Sequence, residues 1–305
     1  MITASEMGKI GGAVKSERKR AAAAVNGAAG GRPVSAPVVN DDGVSIKGCS
    51  YIYSPKGQAL EYSALASNPY SGCGHKCAYC YVPKALRMKD RKAFDSSAIE
   101  RSGYRAGMIR ECKKYSLAGI TEQVMLSFTT DPYHPFDTSA TRFALELLSQ
   151  ETELGFCTLS KGGTRALRDL SLFRREKDAF ATTMTSLDDA FSLKWERGAA
   201  LPGDRIEAIK RFHESGIFTW VSLEPTLDVE ASMQIVRETH QFVDLFKVGR
   251  VNYLPMTKTT DWEDYTLRMI DLCNSLGVDH YIKKDLQPYL PEGYSNPLRV
   301  RQHHD

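Results

Sequence analysis

A chain of 305 residues, 42% hydrophobic and 25% charged, has the composition of a soluble globular protein and room for one large domain or two ordinary ones. No run approaches eighteen consecutive apolar residues, and the N-terminus lacks the basic-then-apolar layout of a secretion signal, so a helical membrane protein is excluded and the cytoplasm is the expected compartment. The net charge of +3 is unevenly spread: Lys9, Lys15, Arg18, Lys19, Arg20 and Arg32 against Glu6 and Glu17 give residues 1–35 a charge of +4 and leave the remainder at −1.

In chain order, residues 4–24 predict a basic helix and GAAGGRP a flexible break, which together make residues 1–40 a basic, Ala/Gly-rich arm. Such an arm can grip a phosphate backbone without reading sequence. It reads equally well as a solubilising tail, because a charge count names no partner. Residues 45–290 form the expected core domain, followed by a tail at 291–305. Within the core, β-branched and aromatic runs predict strands at 123–130, 154–160, 179–186, 218–225, 242–249 and 279–284. Helical periodicity falls between them at 141–151, 203–216 and 264–277. In the second of these Ile206, Ile209 and Phe212 recur at three-residue spacing, and Gly216 stands where a C-terminal cap belongs. The alternation predicts an α/β fold of parallel β/α units, as a barrel or a doubly wound sheet.

In such folds chemistry sits at the C-terminal ends of the strands. The residues there are polar: Thr129, Thr130 and Asp131, then Ser160 and Lys161, then Thr183, Thr185 and Ser186, then Glu224, then Lys247 and Arg250. Helix capping accounts for some of the Ser, Thr and Asp among them. It does not account for all of them on one rim.

Of seven cysteines, Cys49, Cys112, Cys157 and Cys273 are scattered and read as small buried hydrophobes. The odd total is a poor disulfide framework. The other three, Cys73, Cys77 and Cys80, crowd into NPYSGCGHKCAYCYVP at 68–83, just before the predicted strands. A Cys3His zinc site with His75 or His134 is conceivable, and with it a non-enzymatic nucleic-acid binder. Structural zinc usually draws on two separated ligand pairs, however, and there is no second pair. Three thiolates suit an iron–sulfur cubane with one iron left open to a non-protein ligand.

The run Cys73-Gly-His-Lys-Cys77-Ala-Tyr79-Cys80 resembles the CxxxCxΦC signature of the radical SAM superfamily, with Tyr79 as the aromatic residue. NPYSGC, YCYVP, TTDPYHP at 129–135, TLSKGG at 158–163 and the stretch 195–225 with its SLEPT resemble the subgroup of spore photoproduct lyase. The resemblance covers about residues 45–285. It implies a partial (β/α)6 TIM-like barrel, a [4Fe–4S] cluster held by Cys73, Cys77 and Cys80, and S-adenosylmethionine on the open iron. Reduction by a flavodoxin or ferredoxin then yields a 5′-deoxyadenosyl radical that removes a substrate hydrogen. It further implies Tyr79 beside the adenine, and Thr129, Thr130 and Asp131 near the amino group in place of the superfamily's common Gly-Gly-Glu run. Lys161 is expected on the carboxylate and Thr185 or Ser186 on ribose or carboxylate. Arg205 is expected on Glu196 or on the carboxylate, and Glu224 and Arg250 are the candidates for substrate contact.

The basic arm and the subgroup suggest DNA, or a modified nucleobase in it, as the partner. The leading expectation is rearrangement of an amino-acid-modified thymine in phage DNA, in a bacterial or phage-infected cytoplasm. Photoproduct-type lesion repair is the second expectation, and a peptide, tRNA or small metabolite the third. Photoproduct lyases use a thiyl hydrogen donor, and no local motif marks Cys112, Cys157 or Cys273 as one.

Overall fold

A computed structural model of the chain describes residues 38–40, 43–46 and 48–296. The expected basic arm lies outside these residues except for Val38–Asn40, which pairs antiparallel with Gly43–Ser45. The expected C-terminal tail is described only as far as residue 296.

Seven strands, β1 (Leu65–Ser67), β2 (Val124–Leu126), β3 (Phe156–Ser160), β4 (Ala179–Thr183), β5 (Phe218–Thr226), β6 (Leu245–Arg250) and β7 (Asp279–Ile282), hydrogen-bond in chain order. Each neighbouring pair is parallel. The crossovers include α1 (Tyr104–Leu117), α2 (Ser139–Glu151), α3 (Pro202–Glu214), α4 (Val229–Thr239) and α5 (Trp262–Leu276). A 3-10 segment, Gly163–Leu172, links β3 to β4. This is an α/β sheet of the incomplete-barrel kind, with one strand more than six and no closure between β1 and β7 among the described residues.

Side-chain alternation along the strands separates two apolar layers. Leu126, Phe156, Phe180, Val221 and Phe246 point outward to the helices, where Phe180 stacks on Phe212 of α3 with ring centroids 3.9 Å apart. Met125, Cys157, Ala179, Ala181, Trp220 and Leu245 point into the barrel. The inward residues include two alanines and a cysteine, so the interior is thinly filled. The helix α3 ends as its Gly216 predicts. That residue has φ 77°, and the Ile217 amide reaches back to the Phe212 carbonyl at 3.1 Å.

The open side is sealed by side chains. Glu61 accepts from the Lys284 amide at 2.7 Å and the Tyr281 hydroxyl at 3.2 Å, and its carbonyl accepts from Lys247 Nζ at 3.0 Å. These contacts join the segment before β1 to β6 and β7. Among the described residues no helix is long and apolar enough to cross a membrane.

Candidate active site

The strand β2 stops at Leu126, although β propensity continues to Thr130. The amides of Phe128 and Thr129 leave the ladder and donate to Asn68 Oδ1 at 2.9 and 3.0 Å. The chain turns there and folds Thr129, Thr130 and Asp131 over the barrel mouth. The cysteine loop faces them. Gly72 has φ 90°, and a Cβ on it would stand 2.1 Å from the Ser97 carbonyl oxygen. The Cys73 amide donates to the Phe94 carbonyl at 2.8 Å, and Thr130 Oγ1 donates to the Gly72 carbonyl at 2.6 Å. On its other side the loop makes an antiparallel bridge, Cys77 with Glu196, flanked by Ala78 N to Trp195 O at 2.7 Å and Gly198 N to His75 O at 2.9 Å. A Cβ at Gly198 would lie 2.0 Å from the Gly74 carbonyl oxygen, so this clamp requires glycine.

The loop, the strand ends and the 3-10 helix before β1 enclose a cavity of about 1670 Å³, counting its open mouth. Ten of the residues expected at the site line it: Cys73, Cys77, Cys80, Tyr79, Thr129, Thr130, Asp131, Lys161, Glu224 and Arg250. Thr185, Ser186 and Arg205 do not. Thr185 is buried with its hydroxyl unpartnered, and Ser186 accepts the Asp188 amide at 3.0 Å in the turn before a short helix.

Arg205, on α3, is 1% exposed and donates to Glu196 Oε2 at 2.5 Å, Thr183 O at 2.9 Å and Ala200 O at 2.8 Å. Of the expected alternatives it takes Glu196, in a buried pair. The other oxygen of Glu196 accepts the Tyr79 hydroxyl. Burial opposes the charge on Glu196, but Arg205 and Lys161 overcome it and hold the carboxyl below its ordinary range. A chain of contacts thus runs from α3 through Glu196 to the aromatic residue between Cys77 and Cys80.

Asp131 lines the cavity with every acceptor position taken. Oδ1 receives Ser160 Oγ at 2.6 Å and the Tyr133 amide at 2.8 Å, and Oδ2 receives the Lys161 amide at 2.7 Å and His75 Nδ1 at 3.2 Å. Burial opposes its ionisation, and His75, Ser160 and the Lys161 amide outweigh that, holding the carboxyl well below the usual range. The expected reception of an amino group by Asp131 meets a carboxylate with no free lone pair; its contacts brace the cysteine loop and Lys161. Lys161 itself projects into the cavity with its Nζ 5.6 Å from the Tyr79 ring centre. Burial works against its charge, and the facing Cys77 and Glu196 more than compensate, holding the ammonium above its ordinary value. If this cation binds the S-adenosylmethionine carboxylate, Lys161→Ala weakens that affinity by about 1.5–3 kcal/mol in calorimetry.

Beside the expected Glu224 and Arg250 the cavity includes two residues not named from the sequence, Tyr62 and Lys283. Lys283, just past β7, ion-pairs with Glu224 and donates to the Tyr62 hydroxyl at 3.2 Å, while Tyr62 donates to Glu224 Oε2 at 2.6 Å. Arg250 stands 3.9 Å from Asp285, with its buried Nε lacking a hydrogen-bond partner. Lys283 falls inside the predicted 279–284 strand, a signal that could have marked it; Tyr62 carried none.

The three thiols fit a cluster better than a single ion. Among the described residues no three His, Cys, Asp or Glu side chains converge on one metal position. His75 uses both ring nitrogens, toward Asp131 and, at 3.1 Å, Arg165. His134 accepts the Phe136 amide at 3.2 Å and packs edge-on against Tyr70. His75 is therefore committed elsewhere and not free for a Cys3His zinc site, whereas the buried Nε2 of His134 has no hydrogen-bond partner. Burial pushes the Cys73 and Cys77 thiols up to about 12, so loading iron on them displaces protons.

His134 also sets a pH response. Burial lowers it from 6.5 to about 4, so the folded state favours its neutral form. That stabilisation is complete above pH 6.5 and is lost as the pH falls toward 4. In melting experiments at pH 7 and pH 5, His134→Gln should show a smaller loss on acidification than the parent.

The radical SAM superfamily model matches residues 67–243, more than half of the chain. The chain belongs to the radical SAM superfamily. No curated protein sequence matches it. The fold of this radical SAM protein is similar to that of spore photoproduct lyase complexed with dinucleoside spore photoproduct, at TM-score 0.59 and 14% identity over 77% of this chain and 79% of that one. It is also similar to Streptococcus suis SuiB bound to S-adenosylmethionine, at TM-score 0.54 and 15% identity over 76% of this chain. The match spans about half of SuiB, 53%. The radical SAM family uses a [4Fe–4S] cluster and S-adenosylmethionine, and Cys73, Cys77 and Cys80 are the residues that would hold the cluster.

Proposed function

We propose that this radical SAM enzyme isomerises an amino-acid-modified thymine in phage DNA, moving a bond after hydrogen abstraction from a carbon next to nitrogen. When bound, the cluster and S-adenosylmethionine supply the 5′-deoxyadenosyl radical. The chain's own residues line the cavity. Lys161 and Tyr79 lie beside the cysteines, while the Glu224–Lys283 pair and Arg250, whose Nε has no hydrogen-bond partner, make the rest of the lining polar, suited to a substrate that carries charged groups.

The observation that carries the reading concerns cysteine. An isomerisation is redox-neutral: the hydrogen removed is the hydrogen returned, and no protein thiol has to donate one. Among the described residues the only cysteines lining the cavity are Cys73, Cys77 and Cys80. Cys112, Cys157 and Cys273 are buried in the apolar layers. The fold shared with spore photoproduct lyase favours the second reading, repair of a thymine lesion.

Nucleoside mass analysis separates them. After anaerobic incubation of the iron-loaded protein with DNA carrying amino-acid-modified thymine, isomerisation gives a nucleoside of unchanged mass and altered retention. Conversion of a photoproduct dimer to thymines supports repair. Release of 5′-deoxyadenosine with both DNAs unaltered removes the nucleobase reading and leaves the family assignment standing.

A further inference from the structure

The segment that follows Cys80 is exposed without interruption from Lys84 to Ala93. It carries Lys84, Arg87, Lys89 and Lys92, none of which has a carboxylate within 4 Å among the described residues. The neighbouring charges are committed: Arg91 pairs with Asp95 at 3.2 Å, and Asp90 caps the helix Arg91–Ser96 through the Lys92 and Ala93 amides. Between the cations Leu86 and Met88 are 55% and 38% exposed.

On the cavity wall nearby stands Tyr253, 79% exposed, with Lys84 Nζ 4.7 Å from its ring centre. Its φ of 64° puts a bulky residue in the left-handed region, which costs backbone energy. Four cations without a carboxylate partner, exposed apolar side chains and an aromatic ring with Lys84 over one face and the other face free around a cavity mouth match one kind of partner. Phosphates meet the cations, and bases stack on the ring. A metabolite small enough to enter the cavity would leave this rim unused.

We infer that residues 84–92 and Tyr253 form a DNA-docking rim that holds the strand by its phosphates and stacks a base beside the one entering the cavity. The inference rests on the reading of the substrate as a base in DNA. Its probe is a short oligothymidylate, single-stranded and annealed to its complement, titrated by anisotropy into the full-length, iron-loaded protein over a range of salt.

In the quadruple variant Lys84→Ala/Arg87→Ala/Lys89→Ala/Lys92→Ala, affinity at moderate salt should fall about tenfold or more. The slope of log affinity against log salt should become shallower by about 3. Tyr253→Ala should lose about tenfold in affinity with the salt slope unchanged, because stacking releases no counterions. Both variants should keep the parent's iron content and dithionite-driven cleavage of S-adenosylmethionine. Parent-like affinity and slope in the quadruple variant overturn the rim and leave the proposed function intact. Slower flavodoxin-driven cleavage with unchanged DNA affinity overturns it in favour of an acidic redox partner on this surface. A parent protein that binds neither oligonucleotide removes the DNA reading and the rim together.

Discussion

Cys77→Ala is expected to reduce anaerobic cleavage of S-adenosylmethionine to background and to prevent cluster assembly, read as lost iron and lost visible absorbance after reconstitution. A cubane held by three thiolates cannot be retained at full occupancy by two. The fold should survive, because the loop is fixed by backbone contacts: Cys77 with Glu196, Ala78 with Trp195 and Gly198 with His75. A variant with parent-like melting, no cluster and no cleavage is the expected result. Retained cleavage would refute the assignment of this residue as a ligand.

The second large effect lies one layer behind the cysteines. Glu196 and Arg205 are 0% and 1% exposed in their side chains. Glu196→Ala leaves the guanidinium with only the Thr183 and Ala200 carbonyls, which do not offset a buried positive charge. Breaking such a pair from one side costs about 3–5 kcal/mol, which in a chain of this size lowers the melting temperature by about 5–8 °C. Tyr79 loses its acceptor in the same change, so cluster content should fall alongside stability. Removing both charges with Glu196→Leu/Arg205→Met should cost less than the sum of the single changes. A melting shift under about 2 °C for Glu196→Ala would show that water reaches the pair.

The parts that sequence made legible are those with long-period signals. Strands β2 to β7 and helices α2, α3 and α5 lie within a few residues of the apolar runs and periodic stretches that predict them. The strand β1 is three residues, LAS, too short to show alternation. The helix α1 carries Arg105, Arg110, Glu111, Lys113 and Lys114 among its fourteen residues, which blurs its apolar face. Glu111 itself is buried and accepts the Ser50, Tyr51 and Ile52 amides, a role that spacing cannot reveal.

At the site, the cysteines, Tyr79 and Lys161 were legible because a motif fixes their spacing. The saturation of Asp131, the burial of Arg205 and the withdrawal of Thr185 and Ser186 from the cavity were not, because each depends on partners far away in the chain. Tyr62 reaches the cavity as the residue that follows a 3-10 segment, GQALE, whose sequence has no marker of function.

The barrel's circumference is set by two side chains instead of a backbone ladder. Glu61 and Tyr62 span the gap that an eighth strand would fill, tethered to Lys284, Tyr281, Lys283 and Glu224. That wall is held by side-chain hydrogen bonds, whereas the cysteine loop is held by peptide groups. Substitutions at Glu61 or Tyr62 should therefore loosen the wall beside β7 and leave the peptide contacts of the cysteine loop in place.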